Sequence, residues 1–309
     1  MTIVFFGSSD FSIPALKACL DSPHEVILVV STPDQKKGRG LKLHPTPVKT
    51  FALEHKLPVE APDKLKDSAC FERVKKLKPD LFVVSSYGKF IPSAWLTLPS
   101  KLSLNVHPSL LPKYRGASPI NRPILNGDDE TGVSIIEVTS KLDSGDIFSQ
   151  LRYPLDPRID AEQLSEVLAE KSYGLLAEIF GQIERGILRR VPQSDSDASY
   201  ADKLVKEDGH LIFSDPAAAL DRKIRGLKPW PVTFTMFQGE PLQILDGFPE
   251  NEKSSEKPGT LLQIGKEGSI SVATGDGVLK ILRVKPAGKK EMNAADFIRG
   301  RRLEPGFAF

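Results

Sequence analysis

Short apolar runs alternate with helical patterns through the first half of the chain. Ile3-Val4-Phe5-Phe6, Val26-Ile27-Leu28-Val29-Val30 and Leu81-Phe82-Val83-Val84 are continuous and rich in β-branched residues. Runs of that kind suit parallel strands covered on both faces, because a half-exposed strand would alternate with polar residues. Between them Ile13, Leu16 and Leu20 keep helical spacing, as do Phe71, Val74 and Leu77. Two more strands are expected over Leu102–Val106 and Val133–Val138, followed by a long helix over Ala161–Ile187. This rhythm predicts an α/β fold: an open, Rossmann-like, doubly wound and mostly parallel sheet, with its site beyond the carboxyl ends of the strands.

The texture then changes. Pro192-Gln193-Ser194-Asp195-Ser196-Asp197 is polar and turn-rich and reads as a linker. A helical pattern over Pro216–Arg225 leads into β-like segments at Val232–Phe237, Leu242–Leu245, Thr260–Ile264, Ser269–Ala273 and Leu279–Val284. Short strands at such close spacing predict a small β-barrel. The expected organisation is a larger α/β domain over 1–190, a linker over 191–208 and a smaller β domain over 209–309. At 309 residues the chain is long enough for two cores at ~150 residues each.

Composition excludes several classes. With 40% hydrophobic and 27% charged residues, neither disorder nor a fibrous repeat is expected. No apolar run approaches the ~20 residues of a membrane span, and Asp10 interrupts the first apolar stretch, so no secretory leader is expected. Only two cysteines occur, Cys19 and Cys70, which excludes a disulfide scaffold and a cysteine-based zinc site and fits a reducing cytoplasm. Histidine and carboxylate spacing offers no metal set, so none is expected. Gly7-Ser8-Ser9-Asp10-Phe11-Ser12 after the first run lacks the Gly-x-Gly-x-x-Gly fingerprint, and the Walker lysine pattern is absent.

Of the five histidines, only His107 ends an apolar strand pattern and precedes a proline-bracketed loop, Pro108-Ser109-Leu110-Leu111-Pro112. Period-two alternation puts Asn105 and His107 on one side of that strand. A neutral imidazole beside a carboxamide can couple proton transfer with donation to a developing oxyanion. A core histidine with a strand-capping asparagine reads equally well from this stretch alone. In Leu142-Asp143-Ser144-Gly145-Asp146, Asp143 could orient the imidazole, or simply close an Asx-turn.

The formal net charge is only +2, yet it is unevenly spread. Residues 34–49 carry Lys36, Lys37, Arg39, Lys42 and Lys49 against Asp34, a net of +4, and 280–309 carries +5, leaving −7 elsewhere. Two basic clusters favour a polyanionic partner, although a solvated loop and a solubilising tail account for charge alone.

These residues resemble a known family. Asn105-Val106-His107-Pro108-Ser109-Leu110-Leu111-Pro112, with Arg115-Gly116, is similar to the signature of folate-dependent formyltransferases. Gly127-Asp128, Thr131-Gly132-Val133 and Leu142-Asp143-Ser144-Gly145-Asp146 match its second half, and His107 stands 36 residues before Asp143. Phe5-Phe6-Gly7-Ser8-Ser9-Asp10-Phe11, Gly38-Arg39-Gly40, Tyr200-Ala201-Asp202-Lys203-Leu204 and Pro229-Trp230-Pro231 extend the resemblance over nearly the whole chain, toward the branch that acts on charged initiator tRNA.

The resemblance implies the formyltransferase fold with an OB-like C-terminal barrel. It also implies transfer of the formyl group of 10-formyltetrahydrofolate to the α-amino group of methionine on initiator tRNA, by a cytoplasmic monomer. Asn105, His107 and Asp143 would then be catalytic. Ser109, Leu110, Leu111 and Pro112 would line the folate site, with Tyr87, Gly88, Phe90 and Ile91 against the pterin. Arg39 and Lys42 would contact the tRNA acceptor end, and the C-terminal barrel would hold the tRNA body. Gln35 stands where the family's basic loop carries an arginine.

Overall fold

The apolar runs form the centre of a seven-stranded sheet. The computed structural model describes residues 1–37, 42–66 and 69–309. Its first sheet contains β1 (Thr2–Gly7), β2 (Glu25–Val30), β3 (Val59–Glu60), β4 (Leu81–Ser85), β5 (Leu102–His107), β6 (Glu130–Glu137) and β7 (Ile147–Pro154). The spatial order is β7-β6-β5-β4-β1-β2-β3. The five strands from β5 to β3 run parallel, and β6 and β7 are antiparallel at one edge. The chain winds outward from β1 to β3 and then returns to β4 on the other side of β1. Ligand sites in such sheets lie beyond the carboxyl ends near this reversal.

Burial explains the continuous apolar runs. Residues 3–6 of β1 and 81–84 of β4 are covered on both faces. On one face Phe6 meets the edges of Phe82, Tyr87 and Trp95 at 5.0, 5.5 and 5.8 Å between ring centroids. The Trp95 indole N–H donates to Leu65 O at 3.1 Å. Helix α1 (Ser12–Asp21) buries Ala15, Leu16, Ala18 and Cys19. Helix α2 (Pro47–Glu54) starts where Thr46 accepts from Lys49 N and where proline's missing N–H does no harm.

Contacts divide the described residues into two units. The first comprises 1–119, 130–154 and 165–201; the second comprises 120–129, 155–164 and 202–309. The long helix expected from the pattern runs over Ala161–Glu184. Its start is capped reciprocally: Asp160 Oδ1 accepts from Gln163 N at 2.9 Å, and Gln163 Oε1 accepts from Asp160 N at 3.1 Å.

The smaller β domain is a six-stranded antiparallel sheet built from Thr233–Phe237, Glu240–Glu250, Leu261–Ile264, Ile270–Ala273, Val278–Pro286 and the short Met292–Asn293. Its core joins Leu242, Ile244, Leu261, Val272, Leu279 and Ile281 to Leu220 and Ile224 of the helix Ala217–Gly226 and to Phe297 and Ile298 of the helix Ala294–Gly300.

Candidate active site

Asn105 and His107 stand on the last turn of the pleat in β5, where Asn105 pairs with Ile136 and His107 with Ser134 of β6. Their shared face meets the loop carrying Asp143. Asn105 Nδ2 donates to Asp143 Oδ1 at 3.2 Å. His107 Nδ1 lies 3.6 Å from Asp143 Oδ2, and both side chains are nearly buried, at 5% and 10% exposure. That carboxylate oxygen also accepts from Gly116 N at 2.9 Å. The other ring nitrogen, His107 Nε2, is 2.9 Å from Tyr114 O. The three candidate catalytic residues therefore converge on one point.

Local backbone makes this convergence possible. Asp143 sits at φ +47°, a left-handed conformation that non-glycine residues rarely adopt. Gly116 sits at φ +124°, and a Cβ there would meet Ala201 O at 2.7 Å, so only glycine brings its N–H to Asp143. Ser134 ties the loop after β5 to β6: its hydroxyl donates to Ser109 O at 2.6 Å and accepts from Leu111 N at 3.2 Å. Gln150 on β7 donates to Leu111 O at 2.8 Å.

The remaining candidates fall into separate groups. Ser109 is fully buried and donates to Lys113 O, and Leu111 packs with Ile136 and Ile147. Leu110 lies against Gly132, and Pro112 O accepts from Ser199 N at 3.3 Å. Tyr87 and Ile91 are buried in the first unit's core, and burial pushes the Tyr87 hydroxyl well above the usual phenol range. Gly88 at φ +79° has open space where a Cβ would stand, and Phe90 is exposed. Arg39 lies outside the described residues. Lys42 opens the strand Lys42–His44, paired antiparallel with Gln35–Lys37. Lys49 is ion-paired with Asp34 at 2.6 Å. In the basic C-terminal segment Lys280, Arg283 and Arg299 are paired with neighbouring carboxylates, whereas Lys285, Lys289, Lys290 and Arg302 are exposed. Among the described residues no group of three His, Cys, Asp or Glu side chains gathers as a metal site, and no helix is long and apolar enough to cross a membrane.

Three groups at the site carry no signature in the sequence pattern: the Gly116 N–H, the Tyr114 carbonyl, and Gln193 from the polar stretch after the long helix. Their effects run through backbone atoms or long-range contacts, which leave no periodic signal.

Known proteins repeat this arrangement of segments. Residues 1–179 match the formyl transferase family, and residues 203–302 match the formyl transferase C-terminal domain. The chain belongs to the formyl transferase family. This formyltransferase is 38% identical over 310 residues to a protein named methionyl-tRNA formyltransferase from Sulfurihydrogenibium sp., the match covering 100% of both chains. It is 41% identical over 318 residues to one of the same name from Heliobacterium modesticaldum, again covering 100% of both. Its fold is also that of an N-formyltransferase from Helicobacter canadensis solved with folinic acid and dTDP-3-aminofucose. That likeness has a TM-score of 0.70 at 18% identity and covers 92% of this formyltransferase and 99% of that chain.

Proposed function

We propose that this formyltransferase moves the formyl group of 10-formyltetrahydrofolate onto the α-amino group of methionine carried by initiator tRNA, as a cytoplasmic monomer. The observation that carries the chemistry is the meeting of Asn105, His107 and Asp143 beside a carboxamide N–H not used within the set. Full-length similarity to relatives named methionyl-tRNA formyltransferase carries the choice of acceptor.

The acceptor's free amine attacks the formyl carbon, leaving negative charge on the formyl oxygen and positive charge on the nitrogen. Asn105 gives one N–H to Asp143, and its second N–H is the donor for that oxyanion, contributing about 3 kcal/mol of transition-state stabilisation. His107 takes the amine's proton on Nδ1. The imidazolium so formed donates from Nε2 to Tyr114 O and faces Asp143 with Nδ1. The same proton then goes to the departing folate nitrogen, and neither a metal nor a covalent nucleophile takes part.

In this reading the loop Ser109-Leu110-Leu111-Pro112 and the loop with Tyr87, Gly88, Phe90 and Ile91 form the folate site. The buried side chains set the loop shapes, while Gly88 and Phe90 offer open backbone and an aromatic face. Arg39 and Lys42 meet the tRNA acceptor end, and residues 209–309 hold the tRNA body beyond the 191–208 connection. A panel of acceptors tests the reading. Methionine-charged initiator tRNA should be formylated with a kcat/KM far above that of charged elongator tRNA or an amino-sugar nucleotide. Preference for the amino sugar overturns the tRNA assignment.

A further inference from the structure

The polar stretch after the long helix is bonded to the loops that build the site. Val191 exchanges two hydrogen bonds with Ile147, each 2.9 Å. Ser199 accepts from Arg115 N through its carbonyl and from Tyr114 N through its hydroxyl. Between these anchors stands Gln193, whose carboxamide has every hydrogen-bonding position filled. Nε2 donates to Asp143 O at 2.9 Å and to Gly145 O at 2.7 Å. Oε1 accepts from Arg115 Nε at 3.0 Å and Nη2 at 2.9 Å. Arg115 is only 1% exposed, and its third contact, Nη1 to Asp195 Oδ1 at 2.7 Å, fixes the guanidinium plane.

This arrangement demands a carboxamide. A carboxylate at 193 would suit Arg115 but would turn an acceptor toward two carbonyls, and a cationic side chain would suit the carbonyls but repel Arg115. The two carbonyls belong to the turn in which Asp143 is held at φ +47°. The donor across both carbonyls ties that turn, in a conformation non-glycine residues rarely adopt, to the buried Arg115.

We propose that Gln193 is a positioning residue for formyl transfer. It clamps the Asp143–Gly145 turn so that the Asp143 carboxylate reaches Asn105, Gly116 N and His107 together. The proposal rests on the formyl-transfer reading of the site, and its effect on rate is exerted through Asp143, not by contact with substrate.

The experiment uses the full-length protein with Gln193→Glu and the volume-preserving Gln193→Met, and with Ser196→Ala as a neighbouring control. Both Gln193 variants should lower kcat by ~10–100-fold, the loss typical of a slightly misplaced catalytic group, with both KM values within about twofold of wild type. The control should keep the wild-type kcat. Independently of activity, hydrogen exchange at the Gly116 amide should accelerate by about tenfold in both variants while the amides of β4 and β5 keep their rates. A kcat within about twofold of wild type together with unchanged Gly116 exchange overturns the proposal, on the criterion of transition-state loss. A uniform acceleration across the sheet also overturns it, because it reports a general stability role. If the wild type transfers no formyl group, the reading of the site fails, and the Gly116 exchange contrast alone decides whether Gln193 holds the turn.

Discussion

The carbonyl oxygen of Tyr114 pins the ring of His107, 2.9 Å from Nε2. A carbonyl can only accept, so Nε2 carries a proton and Nδ1, 3.6 Å from Asp143 Oδ2, is the nitrogen free to gain or lose one. In the proposed mechanism His107 carries the proton, so His107→Asn should lower kcat by ~10²–10⁴-fold. There Asn105 is the oxyanion donor, so Asn105→Ala should lower it by ~10²–10³-fold. Both losses should appear in kcat and not in the dissociation constant of the donor. Wild-type turnover in either variant contradicts the roles assigned to these side chains.

Gly145 has no room for a side chain. A Cβ there would lie 2.0 Å from Glu137 O, so Gly145→Ala must push the Asp143 turn away from β6. The expected outcome is a stability loss of about 1–3 kcal/mol from overpacking together with a fall in kcat. Paired measurements of turnover and urea midpoint check it, and unchanged values in both would show that the turn is not tightly held.

In the second unit Asp221 stands between two guanidinium groups. Arg158 Nη1 meets Asp221 Oδ1 at 2.8 Å and Arg225 Nε donates to Asp221 Oδ2 at 2.9 Å, while Arg225 also donates to Ile159 O. Arg158 further lies over the Phe248 ring. Removing the buried carboxylate leaves Arg225 without its partner, so Asp221→Ala should destabilise by about 3 kcal/mol or more. A change below ~1 kcal/mol in chemical denaturation, the size of a surface pair, contradicts this.

Glu267 gives a pH signature. Lys280 Nζ at 2.8 Å is the main cause that holds its carboxyl at about 2, below the ordinary 4.5. A depressed carboxylate contributes stability above its unfolded-state value and loses it as pH falls through the folded-state value. The stability difference between wild type and Glu267→Gln should therefore be constant at neutral pH, shrink from about 4.5 downward and vanish near 2. The difference should also weaken in high salt, because Glu267 is exposed. A pH-independent difference means that the ion pair is not its source.

Most of the architecture was legible in the hydrophobic pattern, for a physical reason. Residues 3–6 of β1, 28–30 of β2 and 81–84 of β4 are covered on both faces, so these runs are apolar throughout. Strand β7 at Ile147–Pro154 left no such mark: it is an edge strand, and Gln150 and Arg152 interrupt its apolar positions. Val59–Glu60 is too short for any period to register.

In the site, strand alternation already put Asn105 and His107 on one side, and the structure brings Asp143 to that same side. Gln193 could not be read this way. It lies 50 residues after Asp143 in a stretch with the composition of a tether, and its meaning depends on Arg115 being buried beside it. Charge patterning was only a partial guide, since Lys49, Lys280, Arg283 and Arg299 are spent on local carboxylates.

Formyl transfer to initiator tRNA is tested most directly by a single-turnover assay of the purified protein with methionine-charged initiator tRNA and saturating 10-formyltetrahydrofolate. Stoichiometric formation of formylmethionyl-tRNA is the expected result. No formyl transfer above the uncatalysed background would contradict it.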